Sequence, residues 1–319
     1  MLQGRRAFLG AAAAATLLPR LAHAQDGQMR IVVPFAAGSG TDVTARVIAE
    51  AVGKNTGRVV IVDNRGGAGG SIGAAEVARA KPDGNTVLYT TGGFTTNAAL
   101  FKSLPFDPIA DFTPVTLLTR SSGFALLVGE KSPYKTLEQF VAAAKKEPGR
   151  LSYGSSGVGN TTHVMGVLFG KDVGVDLLHV PFKGTPINEL IGGTVDCAFI
   201  GPATVAQQIR AGQLRALGIS GPTRSKLLPD TPTFAEAGLQ VRDIPGWTGI
   251  WAPAKLPPEV LAALYEKFQK AAQTPLLSHY VRENGGDLVV MPPEPFKAYV
   301  TSEIERFRKQ LPPLGIQLG

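Results

Sequence analysis

Short apolar strings alternate along the chain with segments of helical periodicity. The strings are rich in valine, isoleucine and leucine, and they lie at 29–33, 58–62, 86–89, 151–153, 175–180, 195–200 and 214–219. The helical segments between them lie at 42–54, 71–80, 137–146, 162–169 and 187–191. Strands that alternate with helices of this length are typical of βαβ units. The pattern therefore predicts an α/β protein built on mainly parallel sheets.

A long β-rich run at 113–130 interrupts this alternation. Residues 120–123 break the run, and we interpret the break as a crossing from one lobe to another. Gly221-Pro222 ends the last apolar string and predicts the return crossing. The second lobe would then be 123–222. The first lobe would combine 25–122 with 223–319, which also holds the C-terminal helices. Two lobes with two crossings form a ligand cleft between them and a hinge at the crossings.

The first 24 residues have the features of an export signal. Arg5 and Arg6 precede an apolar stretch at 7–18, and Ala22-His23-Ala24 is a small-x-small cleavage pattern. The twin arginine favours the export route for folded proteins, and an ordinary secretion signal is the alternative. The apolar stretch is too short to span a bilayer. We expect a signal peptide at 1–24 and a mature periplasmic protein.

Composition and charge exclude several classes of protein. Hydrophobic residues make up 44% of the chain and charged residues 18%, which indicates a globular protein. Cys197 is the single cysteine, so disulfide scaffolds and cysteine-based metal clusters are excluded. The formal net charge is +7, and the leader carries three arginines and no acidic residue. The remaining basic residues are scattered, which argues against nucleic acid as a partner and suits a small anionic ligand.

Three small polar loops each follow a predicted strand and precede a predicted helix. They lie at 34–42, 90–97 and 154–162, and all three are rich in glycine, serine and threonine. Helix N-termini present unpaired N–H groups and a positive dipole end, which together bind carboxylates or phosphates. The alternative is ordinary turn and capping chemistry. Three such loops, in two lobes, favour an anion site.

Motifs for cofactors, metals and catalysis are absent. The chain has no G-x-G-x-x-G fingerprint, no phosphate-binding Gly-Lys-[Ser/Thr] loop, no G-x-S-x-G elbow and no HExxH pair. A hydrolase that uses Ser155 or Ser156 with His163 is conceivable, but a solvated or capping histidine explains His163 more simply. Asp42 suits a general base or, more often for a residue at a helix start, stabilisation of the dipole. We predict no cofactor, no metal and no catalytic residue.

Several strings resemble the Bug family, the extracytoplasmic solute receptors of tripartite tricarboxylate transporters. They are IVVPFAAGSGTD at 31–42, VDNRGGAGG at 62–70, KPDG at 81–84, YGSSGVG at 153–159, VPFKG at 180–184 and LPDTPT at 228–233, together with residues 106–115. The resemblance covers the whole mature chain. It implies a type II periplasmic binding protein of the Venus-flytrap kind that closes on a small carboxylate. It also implies delivery to one large and one small membrane subunit.

The resemblance also implies which residues contact the ligand. They are Phe35, Gly38, Ser39, Gly40, Thr41, Asp42, Thr91, Asn97, Ser155, Ser156, Gly159, Asn160, Thr161, Lys183, Gly184 and Thr185. Many relatives carry glycine in place of Ser39 and tyrosine in place of Phe182.

We therefore expect a monomeric binding protein rather than an enzyme. Two other hypotheses remain: a secreted serine hydrolase using Ser156 and His163, and the effector-sensing half of a transcription regulator. The export signal and the lack of a DNA-binding helical segment argue against the regulator.

Overall fold

The computed structural model describes residues 28–315, and the predicted signal peptide lies outside this range. Within it, eleven strands form two sheets: β1 (Met29–Val33), β2 (Val60–Asn64), β3 (Thr86–Thr91), β4 (Phe112–Ser121), β5 (Ala125–Gly129), β6 (Ser152–Ser155), β7 (Leu178–Pro181), β8 (Cys197–Ile200), β9 (Leu214–Ile219), β10 (Gly246–Pro253) and β11 (Gly286–Met291). The α-helices of this range are α1 (Gly40–Thr56), α2 (Ser71–Ala78), α3 (Gly93–Leu100), α4 (Leu137–Lys146), α5 (Thr161–Val173), α6 (Ile187–Gly192), α7 (Pro202–Arg210), α8 (Pro258–Ala272), α9 (Pro275–Glu283) and α10 (Pro293–Gln310). None of these helices is both long and apolar enough to cross a bilayer.

The two sheets are the centres of two lobes. The first has six strands in the order β11-β4-β10-β3-β1-β2, and the second has five in the order β7-β6-β8-β5-β9. The predicted two-lobed α/β fold is confirmed.

Both sheets are mixed rather than mainly parallel. Strands β1, β2 and β3 are parallel neighbours, as are β6, β7 and β8. Strand β10 returns antiparallel between β3 and β4, and β5 enters the second sheet antiparallel to β8 and β9. The antiparallel pairs thus include the strands next to the crossings, while the βαβ units supply the parallel pairs.

Helices cover both faces of each sheet. In the first lobe, α1, α8 and α9 bury one face and α2, α3 and α10 bury the other. In the second lobe, α4 and α5 bury one face, and residues of α6 and α7 pack on the other. Leu100 at the end of α3, with Phe307 and Leu311 from the region of α10, belongs to the core of the second lobe. These apolar contacts connect the two lobes.

The second lobe extends further along the chain than predicted. Phe234 and Ile244 are buried in the same core cluster as Phe169 of α5. The Arg242 guanidinium pairs with the Asp172 carboxylate, with 2.9 Å between Nε and Oδ1. The segment between β9 and β10 therefore packs on the second lobe, and the boundary predicted at residue 222 comes too early. Gly221-Pro222 is a turn at the crossing region, whereas the chain rejoins the first sheet at β10.

Hydrogen bonds among Phe124, Ser220 and Asp243 join the segments that cross between the lobes, and we call these three residues the crossing cluster. The Phe124 N–H donates to Ser220 Oγ (2.8 Å), and that hydroxyl donates to Asp243 Oδ1 (2.8 Å). A side chain on Gly123 would overlap the Ser220 hydroxyl and come within 2.6 Å of its carbonyl oxygen. Burial raises the pKa of Asp243, and the bond from Ser220 opposes that effect. Glycine is thus required at position 123, because the two segments that cross between the lobes approach closely there.

Candidate ligand-binding cleft

Loops at the carboxyl ends of strands from both lobes face each other across a cleft. The loop after β1 leads into α1, and the loop after β8 leads into α7. These two helix starts approach closely, because a Cβ placed on Gly40 would lie 3.5 Å from Thr204 Oγ1. A Cβ on Gly69 would lie 3.5 Å from the carbonyl oxygen of Val158, in the loop between β6 and α5. The carboxyl ends of strands are where open α/β sheets bind ligands.

The loop before α1 is fixed by the buried carboxylate of Asp42. Its oxygens accept hydrogen bonds from the Gly38 N–H (2.8 Å), Arg46 Nε (3.1 Å) and Asn64 Nδ2 (3.0 Å). Burial alone would raise the pKa of Asp42, but these bonds and the charge of Arg46 outweigh it and lower that pKa. The Asp42 carboxylate is therefore committed to holding the loop, and a role as general base gains no support from this arrangement.

Backbone geometry shapes the same loop for close approach. Gly38 has a φ of +80° and no atom near its absent side chain. Ser39 caps α1, since its hydroxyl accepts from the Asp42 N–H at 3.3 Å. Asn64 Nδ2 also donates to the Phe35 carbonyl, which ties the start of the loop to β2. Phe35, Ser39 and Thr41 are half-buried, whereas Gly38 and Gly40 are exposed.

The facing loop, 155–160, is held by a second set of internal hydrogen bonds. Asn160 caps α5, with its Oδ1 accepting from the Thr162 N–H at 3.1 Å. The Ser156 N–H donates to Thr162 Oγ1 (2.9 Å), and the Gly159 N–H donates to His163 Nδ1 (3.1 Å). In both loops, backbone N–H groups donate to side chains of the helix that follows. These bonds hold each loop in one conformation before a ligand binds.

Unpaired N–H groups remain at both of these helix starts. The hydrogen bonds of residues 28–315 give no acceptor to the N–H groups of Gly40, Thr41 or Thr161. They belong to the first turns of α1, with 17 residues, and α5, with 13 residues. Each helix places the positive end of its dipole at these groups. The arrangement can bind an anion without a dedicated cation.

Two histidines and Ser155 lie behind the second loop. Ser155 Oγ is 2.7 Å from His179 Nε2, and the side chain of Ser155 is fully buried. No carboxylate in residues 28–315 bonds to His163 or His179. Burial lowers the pKa of His163 to about 4, with a further contribution from His179. A buried serine and two histidines without an orienting acid give the hydrolase hypothesis no support. Of the two simpler roles predicted for His163, solvated or capping, the structure shows the capping one.

The third predicted loop supplies Thr91 and Asn97. The Gly93 N–H donates to Thr91 Oγ1 at 3.3 Å, at the start of α3. Asn97 lies within α3, and its Nδ2 donates to the Gly69 carbonyl at 2.7 Å. Its Oδ1 is buried and has no hydrogen-bond partner among the described residues. Asn97 thus contacts the part of the first lobe that approaches Val158.

Lys183, Gly184 and Thr185 follow β7 on the second lobe. A Cβ on Gly157 would lie 3.5 Å from the Phe182 carbonyl, so this segment runs beside the 155–160 loop. Lys183 and Gly184 are exposed, and Lys183 forms no ion pair within residues 28–315. The structure therefore brings this segment near the cleft.

Two parts of the cleft escaped the sequence analysis. Thr204 lies in the first turn of α7, and Gly69 lies in the turn before α2. A signal for α7 is present, because Pro202, which follows the 195–200 string after Gly201, is typical of the first turn of a helix. The loop before it lacks the run of small polar residues that marked the other three.

Other candidate sites on the described surface are weaker. One hollow of about 290 Å³ lies between α4 and α5 and includes Lys145 and Lys171. Another, of about 230 Å³, lies beside α8. Neither combines facing helix starts from both lobes. Within residues 28–315 no cluster of His, Cys, Asp and Glu could hold a metal ion.

Comparison with known proteins agrees with this geometry. The sequence pattern of the family described as the tripartite tricarboxylate transporter family receptor matches residues 44–315. The chain belongs to this family. The predicted resemblance to Bug receptors is confirmed, since the structure superimposes on the periplasmic binding protein BugD with a TM-score of 0.86 at 31% identity, over 91% of this chain and 98% of BugD.

Two further similar structures were solved with small carboxylates. MatC from Rhodopseudomonas palustris, solved with bound malate, is 31% identical, with a TM-score of 0.82 over 88% of this chain and 98% of MatC. A second R. palustris protein, solved with adipate, is 30% identical, with a TM-score of 0.85 over 91% of this chain and 98% of its own. Family and fold together make this chain a solute-binding receptor.

Proposed function

We propose that this receptor captures a small carboxylate in the periplasm and delivers it to the membrane subunits of a tripartite tricarboxylate transporter. The observation that carries the proposal is the set of unpaired N–H groups at Gly40, Thr41 and Thr161, presented by facing loops of the two lobes. The malate and adipate bound by similar receptors support a carboxylate as the ligand.

The energetics of such a site are adequate. A hydrogen bond to a charged group contributes about 1.5–3 kcal/mol, so three such bonds contribute about 4.5–9 kcal/mol before the cost of closing the lobes. Micromolar affinity requires about 8 kcal/mol. We expect hydroxyl groups at the cleft, such as that of Thr204, to add to the backbone contacts.

The family and the leader support a location and a set of partners for this receptor. We propose cleavage after Ala24, release into the periplasm and action as a monomer that docks on one large and one small membrane subunit. The export pattern at 1–24 supports the location. The family match over 44–315 supports the partners.

The receptor should return its ligand unchanged. Ser155 is buried, and neither His163 nor His179 is oriented by a carboxylate within the described residues. The remaining polar groups of the cleft hold the loops rather than activate a nucleophile. This arrangement supports binding without turnover.

A thermal-shift screen tests the proposal. Mature protein, residues 25–319, is heated with succinate, malate, adipate, citrate and matched uncharged amides. Binding to the native state stabilises it by RT ln(1 + [L]/Kd), so the unfolding temperature rises with the logarithm of ligand concentration once that concentration exceeds Kd. We expect at least one carboxylate to raise it, none of the amides to do so, and the ligand to be recovered intact by mass spectrometry. Stabilisation by no carboxylate, or conversion of the bound one, would contradict the proposal.

A further inference from the structure

Asn97 carries an acceptor that the protein itself does not use. The residue is 4% exposed, and its Oδ1 has no hydrogen-bond partner among the described residues. Its amide orientation is fixed, because Nδ2 donates to the Gly69 carbonyl at 2.7 Å and an oxygen could not occupy that position. A buried acceptor without a donor destabilises the protein, so this atom favours a hydrogen-bond donor from outside the chain.

The unused acceptor lies where the lobes meet. A Cβ on Gly69 would be 3.3 Å from Asn97 Oδ1 and 3.5 Å from the Val158 carbonyl oxygen. Gly69 belongs to the first lobe and Val158 to the second, and Gly69 adopts a φ of +64°. The Asn97 and Val158 oxygens, which come from opposite lobes, therefore both lie next to the space that a side chain at position 69 would fill.

These acceptors differ in chemistry from the helix starts. The N–H groups of Gly40, Thr41 and Thr161 are donors and suit a carboxylate. The oxygens of Asn97 and Val158 repel a carboxylate and require an O–H or N–H group. Asn160, in the 155–160 loop, already accepts from the Thr162 N–H through its Oδ1. Asn97 is thus distinguished from it by an unused oxygen.

We propose that Asn97 Oδ1 accepts a hydrogen bond from a hydroxyl or ammonium group of the bound ligand. The inference rests on the proposed function and narrows it: the ligand is a carboxylate that also carries a hydrogen-bond donor. Asn97 is then a specificity-determining residue, because a carboxylate without the donor leaves its oxygen unsatisfied. A ligand hydroxyl would use Asn97 alone, whereas an ammonium group has further donors for the Val158 carbonyl.

Calorimetry with matched ligands tests the inference. Each set has an unsubstituted acid, its 2-hydroxy form and its 2-amino form at one chain length: propionate, lactate and alanine; succinate, malate and aspartate; glutarate, 2-hydroxyglutarate and glutamate. We expect the wild-type protein to bind the donor-bearing member of one set about ten-fold or more tightly than the unsubstituted acid. In Asn97→Ala this ratio should fall to within about three-fold. The hydroxyl and amino members show which donor is used.

The ratio separates recognition from structure. Loss of the Nδ2 bond to Gly69 affects all members of a set alike and cancels in the comparison. Thr95→Ala is the control, since the Thr95 hydroxyl donates to the Gly92 carbonyl at the start of α3 and lies outside the proposed contacts. We expect this variant to keep the wild-type ratio. Should Asn97→Ala fail to fold, the O-methyl ether of the preferred hydroxy acid, tested on wild type, should bind more weakly than the hydroxy acid by about ten-fold or more.

The outcomes are distinct. Carboxylate binding with equal affinity within every set, or a ratio that Asn97→Ala preserves, would overturn the inference and leave the receptor proposal standing. Failure to bind any of these carboxylates, or adipate and citrate, would overturn both.

Discussion

The imidazole rings of His163 and His179 stack with their centroids 4.0 Å apart, where α5 packs beside β7. Tyr153 also stacks on His179, with the ring centroids 4.8 Å apart. His163 Nδ1 accepts from the Gly159 N–H, and His179 Nε2 bonds Ser155 Oγ. Burial lowers the pKa of both histidines, and no carboxylate within residues 28–315 bonds to either ring. The pair is therefore neutral near pH 7 and holds the 155–160 loop as an acceptor.

Acid should loosen this loop. The pKa of His163 falls from 6.5 to about 4 on folding, so the unfolded chain takes up the proton first. Stability from this residue is complete above about pH 6.5 and is lost as the pH falls towards 4, by up to about 3 kcal/mol. Urea unfolding at several pH values should show a weaker acid dependence in His163→Gln than in the wild type. His279→Gln, at an exposed histidine of α9, is the control. An unchanged acid dependence in His163→Gln would contradict the neutral stack.

Backbone geometry at Gly40 should matter more to carboxylate affinity than the charge of Lys183. Gly40→Val places a branched side chain between the lobes, where its Cβ alone would lie 3.5 Å from Thr204 Oγ1. We expect calorimetry to show a loss of about ten-fold or more in carboxylate affinity. Lys183→Ala should cost less than about three-fold. Gly192→Val, at a glycine with open space beside it, is the matched control. Loss of binding in Lys183→Ala, with Gly40→Val neutral, would instead indicate a side-chain ion pair.

Removing the Asp42 charge should weaken anion binding. The carboxylate of Asp42 accepts from the Gly38 N–H and pairs with Arg46, so Asp42→Asn relaxes the loop that presents the unpaired N–H groups. If Asp42 acted only as a nearby negative charge, the same change would strengthen anion binding. Titration of both proteins with one carboxylate decides between the signs. Glu50→Gln, on the exposed part of α1, is the control and should leave affinity unchanged.

The crossing cluster of Phe124, Ser220 and Asp243 should leave no room for a side chain at Gly123. Gly123→Ala forces a methyl group against Ser220, and overpacking of this kind costs about 1–3 kcal/mol. We expect a corresponding drop in the free energy of unfolding by urea. Gly192→Ala should change it by less than about 0.5 kcal/mol, because that side has open space. Equal stability of Gly123→Ala and the wild type would contradict this prediction, because it would show that the crossing segments can move apart to accept the methyl group at no cost in free energy.

Local signals predicted the strand-to-helix turns at 34–42 and 154–162, whereas the loop predicted at 90–97 is shorter, because α3 begins at Gly93. Ser39 and Asn160 cap their helices with bonds to residues two or three positions on, so the pattern is complete within a short stretch of sequence. The sheet pairings depend on distant segments. Nothing near β10 indicates that it pairs antiparallel between β3 and β4, which lie more than a hundred residues earlier in the chain.

Two other features were also out of reach of the sequence. The packing of 223–245 on the second lobe depends on the bond between Arg242 and Asp172, 70 positions apart. The unused oxygen of Asn97 is defined by the Gly69 carbonyl, 28 positions away. Composition and spacing marked Asn97 as a polar residue in a loop, and only the fold shows which of its atoms is occupied.

The most direct test of an anion site built from backbone N–H groups is calorimetric titration of the mature protein with its preferred carboxylate and with the methyl ester of that carboxylate. The two ligands have nearly the same shape and keep the same hydroxyl or ammonium group, but the ester lacks the negative charge. We predict one-to-one binding of the carboxylate with a micromolar or lower Kd, and at least about hundred-fold weaker binding of the ester. Equal binding of acid and ester, or binding of neither, would contradict the account.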